Sequence, residues 1–232
     1  MIALAVLLLS LGTADLVRPG DRAARGAVLR SVVVGAAVAG LSCWGAGLPA
    51  WWVPVVVIVV AAWVVTTPES TMVGDAHPWP LVVLAVLAVA ALATGADQPR
   101  PEGWLVDWYG GLEVDALQGV PFTSFAVGAA CLVFLVDSAN VVVRMVLAST
   151  DAGVMASEQT LKGGRVLGPI ERVMIFALAL SGEYAALTAV VAAKGILRFP
   201  EISRDVAGRK AEYVLVGSFV SWALALVFVP LL

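Results

Sequence analysis

The chain has 232 residues, of which 61% are hydrophobic and 13% are charged, with a formal net charge of −3. A soluble domain carries about 25% charged residues, so this composition excludes an ordinary soluble enzyme and favours lipid surroundings. No basic run is dense enough, or interleaved with aromatic residues, to indicate nucleic-acid binding. We expect an all-α fold, a polytopic transmembrane helical bundle in which residues 1–232 form a single transmembrane domain.

Apolar runs predict about seven membrane segments, because a spanning helix needs about 20 mainly apolar residues. In lipid the backbone N–H and C=O groups must hydrogen-bond to each other within each segment, so even the valine-rich runs favour helix over strand. The domain divides into N-terminal helices over 1–95, a loop over 96–120 and a C-terminal part over 121–232. The runs themselves fall at about residues 1–17, 27–47, 50–66, 80–95, 121–148, 167–197 and 212–232.

The charges of the loops predict an orientation in a bacterial plasma membrane. The segment 18–26 contains Arg18, Arg22 and Arg25, and basic loops stay on the cytoplasmic side, so the N-terminus starts outside. The segment 96–120 is acidic and falls outside. Its aromatic side chains are typical of the headgroup level, with an aromatic ligand site as the alternative; they are Trp104, Trp108 and Tyr109.

The segment 167–197 conflicts with this orientation if it is one spanning helix. Basic residues at its end and beyond it would then lie outside, against the positive-inside rule. Either the rule fails here, or the segment breaks near Ser181-Gly182 and returns as a re-entrant hairpin of two half-helices of about 14 residues, each too short to span. The basic residues concerned are Lys194, Arg198, Arg204, Arg209 and Lys210.

Polar residues within the apolar run 121–148 form the first candidate site. An ionisable residue in a membrane helix costs about 2.5–3.5 kcal/mol, so it tends to face protein, water or an opposite charge. Asp137, Asn140 and Arg144 are spaced three and four apart, which predicts one helix face. They could contact an ion or substrate, or they could form a structural clamp between helices.

A second set of charges lies in and after the segment 167–197, at Glu171, Arg172, Glu183, Lys194 and Arg198. Arg172, Glu183 and Lys194 recur every 11 residues, which predicts one stripe along an unbroken helix. Glu183 is the deepest and would hold a proton or a cation, or pair with a nearby arginine. The predicted polar path comprises Asp137, Asn140, Arg144, Glu171, Arg172, Glu183 and Lys194.

A glycine-rich basic stretch precedes this segment. Lys162, Gly163, Gly164 and Arg165 lead into a helix whose start Pro169 indicates. Helix N-termini bind anions, so a lipid headgroup or a nucleotide phosphate could dock there. The spacing of a P-loop is absent, and a basic cytoplasmic loop is the alternative interpretation.

The cysteines and the histidine predict neither a metal site nor a cofactor. Cys43 and Cys131 lie in apolar runs without metal-ligand spacing, which indicates small buried hydrophobes. His77 is the single histidine of the chain and cannot form a metal site alone. We therefore predict no cofactor and no metal.

The C-terminal third resembles a bacterial family of uncharacterised integral membrane proteins, a domain of unknown function. The resemblance covers residues 161–220 and implies the membrane class without an activity. It is carried by a Gly-Arg-Val-Leu-Gly-Pro-Ile-Glu-Arg stretch at 164–172, an Ala-Ala-Lys-Gly-Ile-Leu-Arg-Phe stretch at 192–199 and an Ala-Glu-Tyr-Val-Leu-Val-Gly-Ser stretch at 211–218. Gly195 and Ser218 stand where the family has Ser and Thr.

These features support three functional hypotheses. The leading one is a small transporter or channel-like protein that uses the intramembrane charges, with membrane lipids as partners and an ion or small molecule as substrate. The first alternative is a membrane enzyme that acts on a lipid phosphate held by Lys162, Arg165 and Arg172, although no nucleophile or metal site supports it. The second alternative is a non-catalytic scaffold subunit, in which the charges only hold helices together.

Overall fold

The computed structural model of the chain describes residues 1–18, 25–67, 79–95, 100–148, 164–203 and 209–232. The all-α fold class is confirmed, since these residues form helices and short connections and contain no strand. The α-helices are α1 (Ile2–Leu16), α2 (Arg25–Gly45), α3 (Trp52–Thr66), α4 (Trp79–Gly95), α5 (Trp104–Gly110), α6 (Phe122–Val136), α7 (Ser138–Leu147), α8 (Gly164–Leu180), α9 (Tyr184–Ser203) and α10 (Arg209–Val227). Short 3-10 helices cover Asp115–Leu117 and Val229–Leu231.

Every predicted apolar run is helical, but not every run is a membrane span by length. Among the described residues, two stretches are long and apolar enough to cross a membrane, Gly26–Gly45 and Ala211–Leu231. The bent pair α6 and α7 makes a third if it is one span. Ile2–Leu16, Trp52–Thr66 and Trp79–Ala93 are apolar but shorter, so a count of about seven spans is not confirmed.

The chain divides into two compact units, of which the first comprises Met1–Ser70, Trp79–Ser138 and Leu231–Leu232. Its central helix is α1, which packs against α2, α3, α4 and α6. Most side chains of α1 are buried on all sides, as expected for a helix that is apolar around its circumference. The first unit is therefore built around its N-terminal helix.

Small residues let the helices of the first unit approach closely. A Cβ atom on Gly12 would lie 2.8 Å from Cγ1 of Val133 on α6. A Cβ atom on Gly35 would lie 2.7 Å from Cγ1 of Val60 and 3.0 Å from the carbonyl oxygen of Ser10. Close packing of this kind is the usual means by which helices associate in lipid.

The second unit comprises Thr71–Pro78 and Ala139–Pro230. Here α8 and α9 form a hairpin, and α10 packs against both. The predicted break at Ser181-Gly182 is confirmed, since α8 ends at Leu180 and Gly182 has a φ of +74°, which favours glycine.

The predicted length of the two halves is wrong. α8 has 17 residues and α9 has 20, because each helix continues beyond the apolar run into polar sequence. α8 begins at Gly164 instead of at Pro169, which lies inside the helix. The two helices are about 25 and 30 Å long, close to the thickness of the hydrocarbon core.

Candidate functional site

An ion pair links the two helices of the hairpin. Nζ of Lys194 on α9 lies 2.6 Å from Oε2 of Glu171 on α8. The indole N–H of Trp222 on α10 donates a hydrogen bond of 2.8 Å to Oε1 of Glu171. Three helices thus meet at one carboxylate, and we call Glu171, Lys194 and Trp222 the Glu171 cluster.

The Lys194 ammonium has an aromatic contact as well as a carboxylate contact. Its Nζ lies 5.5 Å from the centroid of the Trp222 ring, within the range of a cation–π interaction. Phe219 contacts the same ring edge to face, with centroids 5.5 Å apart. The side chains of Lys194 and Glu171 are 22% and 14% exposed, so the pair is largely buried but remains accessible.

The Glu171 cluster lies midway along its helices. Trp222 lies near the middle of Ala211–Leu231, about 15 Å from either end. Glu171 lies about 15 Å along α8 before Ser181, and Lys194 lies about 15 Å along α9 after its first residue, Tyr184. Through Trp222 the carboxylate therefore lies at the level of the middle of Ala211–Leu231, which is long and apolar enough to cross a membrane. Neither α8 nor α9 meets that criterion.

A second polar contact of the same unit involves Arg172, whose side chain is among the largest that are fully buried. Its Nη2 donates a hydrogen bond to Oδ1 of Asn140 on α7. Both residues belong to the predicted polar path, and the structure brings them together. Because Arg172 follows Glu171 on α8, adjacent side chains of one helix contribute to two separate polar contacts.

The prediction that Asp137, Asn140 and Arg144 share one helix face is wrong for Asp137, whereas Asn140 and Arg144 both lie on α7, four residues apart. Asp137 lies between α6 and α7, so the three residues do not belong to one continuous helix. The physical reason is the Asp137-Ser138 sequence, since short polar side chains compete with the helical backbone and favour caps and turns.

The prediction of a buried Glu183 on a continuous stripe is also wrong. The break separates Arg172 on α8 from Lys194 on α9, and Glu183 lies in the turn with an exposed side chain. A left-handed glycine at 182 ends the helix and places Glu183 at the tip of the hairpin. Of these two carboxylates, Glu171 is therefore the one enclosed between helices.

The predicted anion-binding stretch falls mostly outside the described residues. Lys162 and Gly163 lie outside them, and so does the side chain of Arg165. Gly164 is the first residue of α8. Arg198 lies on α9 with a half-buried side chain, and His77 is outside the described part of the chain.

Sequence reasoning missed a buried polar cluster in the first unit, formed by Asp15, Arg18, Trp63, Thr67 and Ser138, which we call the Asp15 cluster. Nη2 of Arg18 lies 2.7 Å from Oδ1 of Asp15, and Nη1 donates to the carbonyl oxygen of Thr67 over 2.6 Å. Oδ2 of Asp15 accepts hydrogen bonds from Nε1 of Trp63 at 2.9 Å and from the hydroxyl of Ser138.

The Asp15 cluster has the character of a structural clamp. Its carboxylate has an opposite charge and two further donors, and the Asp15 side chain is only 1% exposed. Asp15 lies one residue from the end of α1, where a charge costs less than at the middle of a span. The signal in the sequence was the single charge of the first apolar run, with Arg18 three residues later.

The cysteines behave as predicted, since Cys43 and Cys131 are both buried and form no disulfide. In the described ranges, no three His, Cys, Asp or Glu side chains group closely enough to hold a metal ion.

No protein-family model, curated protein or solved structure matches this chain. The resemblance of residues 161–220 to a family of uncharacterised membrane proteins therefore stays a prediction.

Proposed function

We propose that this chain is an integral protein of a bacterial plasma membrane and acts as a small transporter or channel-like protein, with Glu171 as its ion-coupled group. One observation carries the proposal. The Glu171–Lys194 ion pair lies midway along a helical hairpin, at the level of the middle of Ala211–Leu231.

The energetic cost of this pair favours a functional role. A buried ion pair is often no more stabilising than apolar residues of the same volume, so packing alone does not require it. Charges inside membrane segments typically belong to substrate or ion pathways. The partial exposure of Lys194 and Glu171 also leaves them reachable, whereas the side chain of Asp15 is 1% exposed.

A hairpin that crosses the membrane twice removes the conflict between the positive-inside rule and the basic residues that follow α8. With the basic segment 18–26 in the cytoplasm, α8 runs outward, the turn at Ser181 lies outside and α9 returns. The basic residues after Lys194 then fall on the cytoplasmic side, in agreement with the positive-inside rule. The acidic segment 96–120 lies outside. This topology places the Glu171 cluster midway between the two membrane faces.

Ion coupling follows from competition for one carboxylate. When a proton or another cation binds Glu171, the attraction of Lys194 for Oε2 is lost and α8 and α9 lose their charged link. When the cation leaves, the pair re-forms. The ion pair thus has a closed state and an open state, and cation binding shifts the equilibrium between them. A coupled transporter needs such a two-state contact.

Proton flux into liposomes tests this proposal. The purified protein is reconstituted with a pH-sensitive dye inside, and a potassium gradient with valinomycin drives protons inward. We expect the wild-type protein to acidify the liposomes and Glu171→Gln to reduce the rate to that of protein-free liposomes. Glu183→Gln is the matched control, because Glu183 is exposed at the hairpin turn, and it should retain the wild-type rate. Equal rates for wild type and Glu171→Gln would contradict the proposal.

The buried ion pair of the Asp15 cluster favours one second candidate, a scaffold subunit in which ion pairs only join helices. The double variant Glu171→Lys with Lys194→Glu separates the two functions. A scaffold recovers both its fold and its cellular role when the charges are exchanged. A transporter recovers its fold but not its flux, because the carboxylate now lies on the other helix.

A further inference from the structure

The Lys194 ammonium occupies a position between a carboxylate and an aromatic ring. It lies 2.6 Å from Oε2 of Glu171 and 5.5 Å from the centroid of Trp222. We propose that the Glu171 cluster is a binding site for lipophilic organic cations, in which Lys194 is a tethered occupant that the substrate displaces. This inference rests on the proposed transport function and names its substrate class.

The chemistry of the site selects organic cations over metal ions. The Trp222 ring lies near the ammonium and the Glu171 carboxylate accepts the N–H at the edge of that ring, so the site offers both a cation–π contact and a negative charge to amines and quaternary ammonium groups. Hard metal cations need several oxygen ligands, whereas the Glu171 cluster contains one carboxylate, whose Oε1 already accepts the Trp222 N–H. A large, weakly hydrated cation uses both the remaining oxygen and the ring.

The two partners of the ion pair are not equally fixed. Glu171 is held by the indole N–H of Trp222 as well as by Lys194. The Lys194 ammonium is carried on a flexible four-carbon stem and its side chain is 22% exposed. Displacement therefore moves the lysine and leaves the carboxylate and the ring in place.

The surroundings indicate how a lipophilic cation reaches the site. Phe219, which contacts Trp222 edge to face, is 62% exposed. Ile196 and Leu197, two and three residues after Lys194 on α9, are 73% and 77% exposed. In a membrane these side chains face lipid, so a cation with apolar substituents can enter from the bilayer along Phe219.

Binding of tetraphenylphosphonium to the full-length protein in detergent, measured by isothermal titration at pH 8, tests the inference. We expect the wild type to bind and Lys194→Met to bind about tenfold more tightly, because the site then has no internal occupant to displace. Glu171→Gln should abolish binding. Absence of binding to both the wild type and Lys194→Met would overturn the proposal, and so would unchanged binding by Glu171→Gln.

Variants of Trp222 keep the test decisive if Lys194→Met does not fold. Trp222→Phe retains a ring and should weaken binding less than Trp222→Leu, which removes the ring. Trp108→Leu is the matched control, because Trp108 is 52% exposed on α5, and it should leave binding unchanged. Equal binding by Trp222→Phe and Trp222→Leu would overturn the role of the ring.

The failure of this inference is distinguishable from failure of the proposed function. Titration uses no gradient, so binding that depends on Glu171 without dependence of proton flux on Glu171 means that the site is correct and the ion coupling is wrong. Flux that depends on Glu171 without binding of tetraphenylphosphonium means that the coupling is correct and the substrate class is wrong.

Discussion

Trp222 donates its indole N–H to Oε1 of Glu171 over 2.8 Å and thereby joins the middle of Ala211–Leu231 to the first helix of the hairpin. This hydrogen bond fixes the carboxylate from one side, while Lys194 neutralises it from the other. The position of the Glu171 carboxylate consequently depends on contacts from two other helices of the second unit.

Removing the indole donor should destabilise the protein. Trp222→Phe leaves Oε1 of a largely buried carboxylate without its donor, and a hydrogen bond to a charged group contributes about 1.5–3 kcal/mol. The free energy of unfolding in detergent, from denaturant titration, should fall by that amount. Trp108→Phe on α5 is the control and should have almost no effect, because its side chain is exposed. Equal losses in the two variants would contradict this role of Trp222.

Breaking the Asp15 cluster should have a larger effect. Asp15→Asn leaves the buried guanidinium of Arg18 without its opposite charge, at a cost of about 3–5 kcal/mol in unfolding free energy. Adding Arg18→Met removes the uncompensated charge and should recover part of that loss. A double-mutant cycle should give a coupling energy of about 1–3 kcal/mol. Additive losses would show that the two side chains do not stabilise each other.

The close contact between α1 and α6 predicts that alanine substitution lowers stability at Gly12 but not at Gly40. Gly12→Ala places a methyl group 2.8 Å from Val133 Cγ1 and 3.0 Å from the backbone nitrogen of Phe134, so it should destabilise the protein by about 1–3 kcal/mol. Gly40→Ala on α2 meets nothing within 4 Å and should be neutral or slightly stabilising, because alanine favours helix. In detergent, Gly12→Ala should therefore have a lower melting temperature than Gly40→Ala. A higher melting temperature for Gly12→Ala would contradict the close packing of α1 against α6.

The hairpin turn predicts that alanine substitution has opposite effects on stability at Gly182 and at Gly195. Gly182 has a φ of +74°, so Gly182→Ala should cost about 1–2 kcal/mol although its methyl group meets no atom. Gly182→Asn should cost less, since asparagine tolerates this conformation. Gly195→Ala, within α9 and also in open space, should stabilise by about 0.5–1 kcal/mol. If Gly182→Ala proves as stable as Gly195→Ala, the turn does not require a left-handed residue.

The fold class and the break in the hairpin could be predicted from the sequence because both have local causes. Long apolar runs force helix in lipid, and Ser181-Gly182 interrupts one of them. The ends of the helices could not be predicted in the same way. α8 starts five residues before Pro169, in polar sequence where hydropathy gives no signal.

The candidate site could be predicted only in part. Glu171 and Lys194 were identified from their cost in lipid, but their pairing is a tertiary contact across a turn, and the contribution of Trp222 comes from a third helix. Glu183 was misplaced because the 11-residue spacing assumed a continuous helix. Asp15 was missed because its partners at Trp63 and Ser138 are distant in sequence.

The sidedness of the hairpin tests the central claim most directly, since the Glu171 cluster lies midway through the membrane only if α8 and α9 cross it. Single cysteines at Ser181 and Ser203, both exposed, are placed in a background in which Cys43 and Cys131 are alanine, and each is labelled with a membrane-impermeant maleimide from either side. We expect Ser181→Cys to react only from outside and Ser203→Cys only from the cytoplasm. Labelling of both positions from the same side would mean that the hairpin does not cross the membrane, and the transport proposal would lose its central observation.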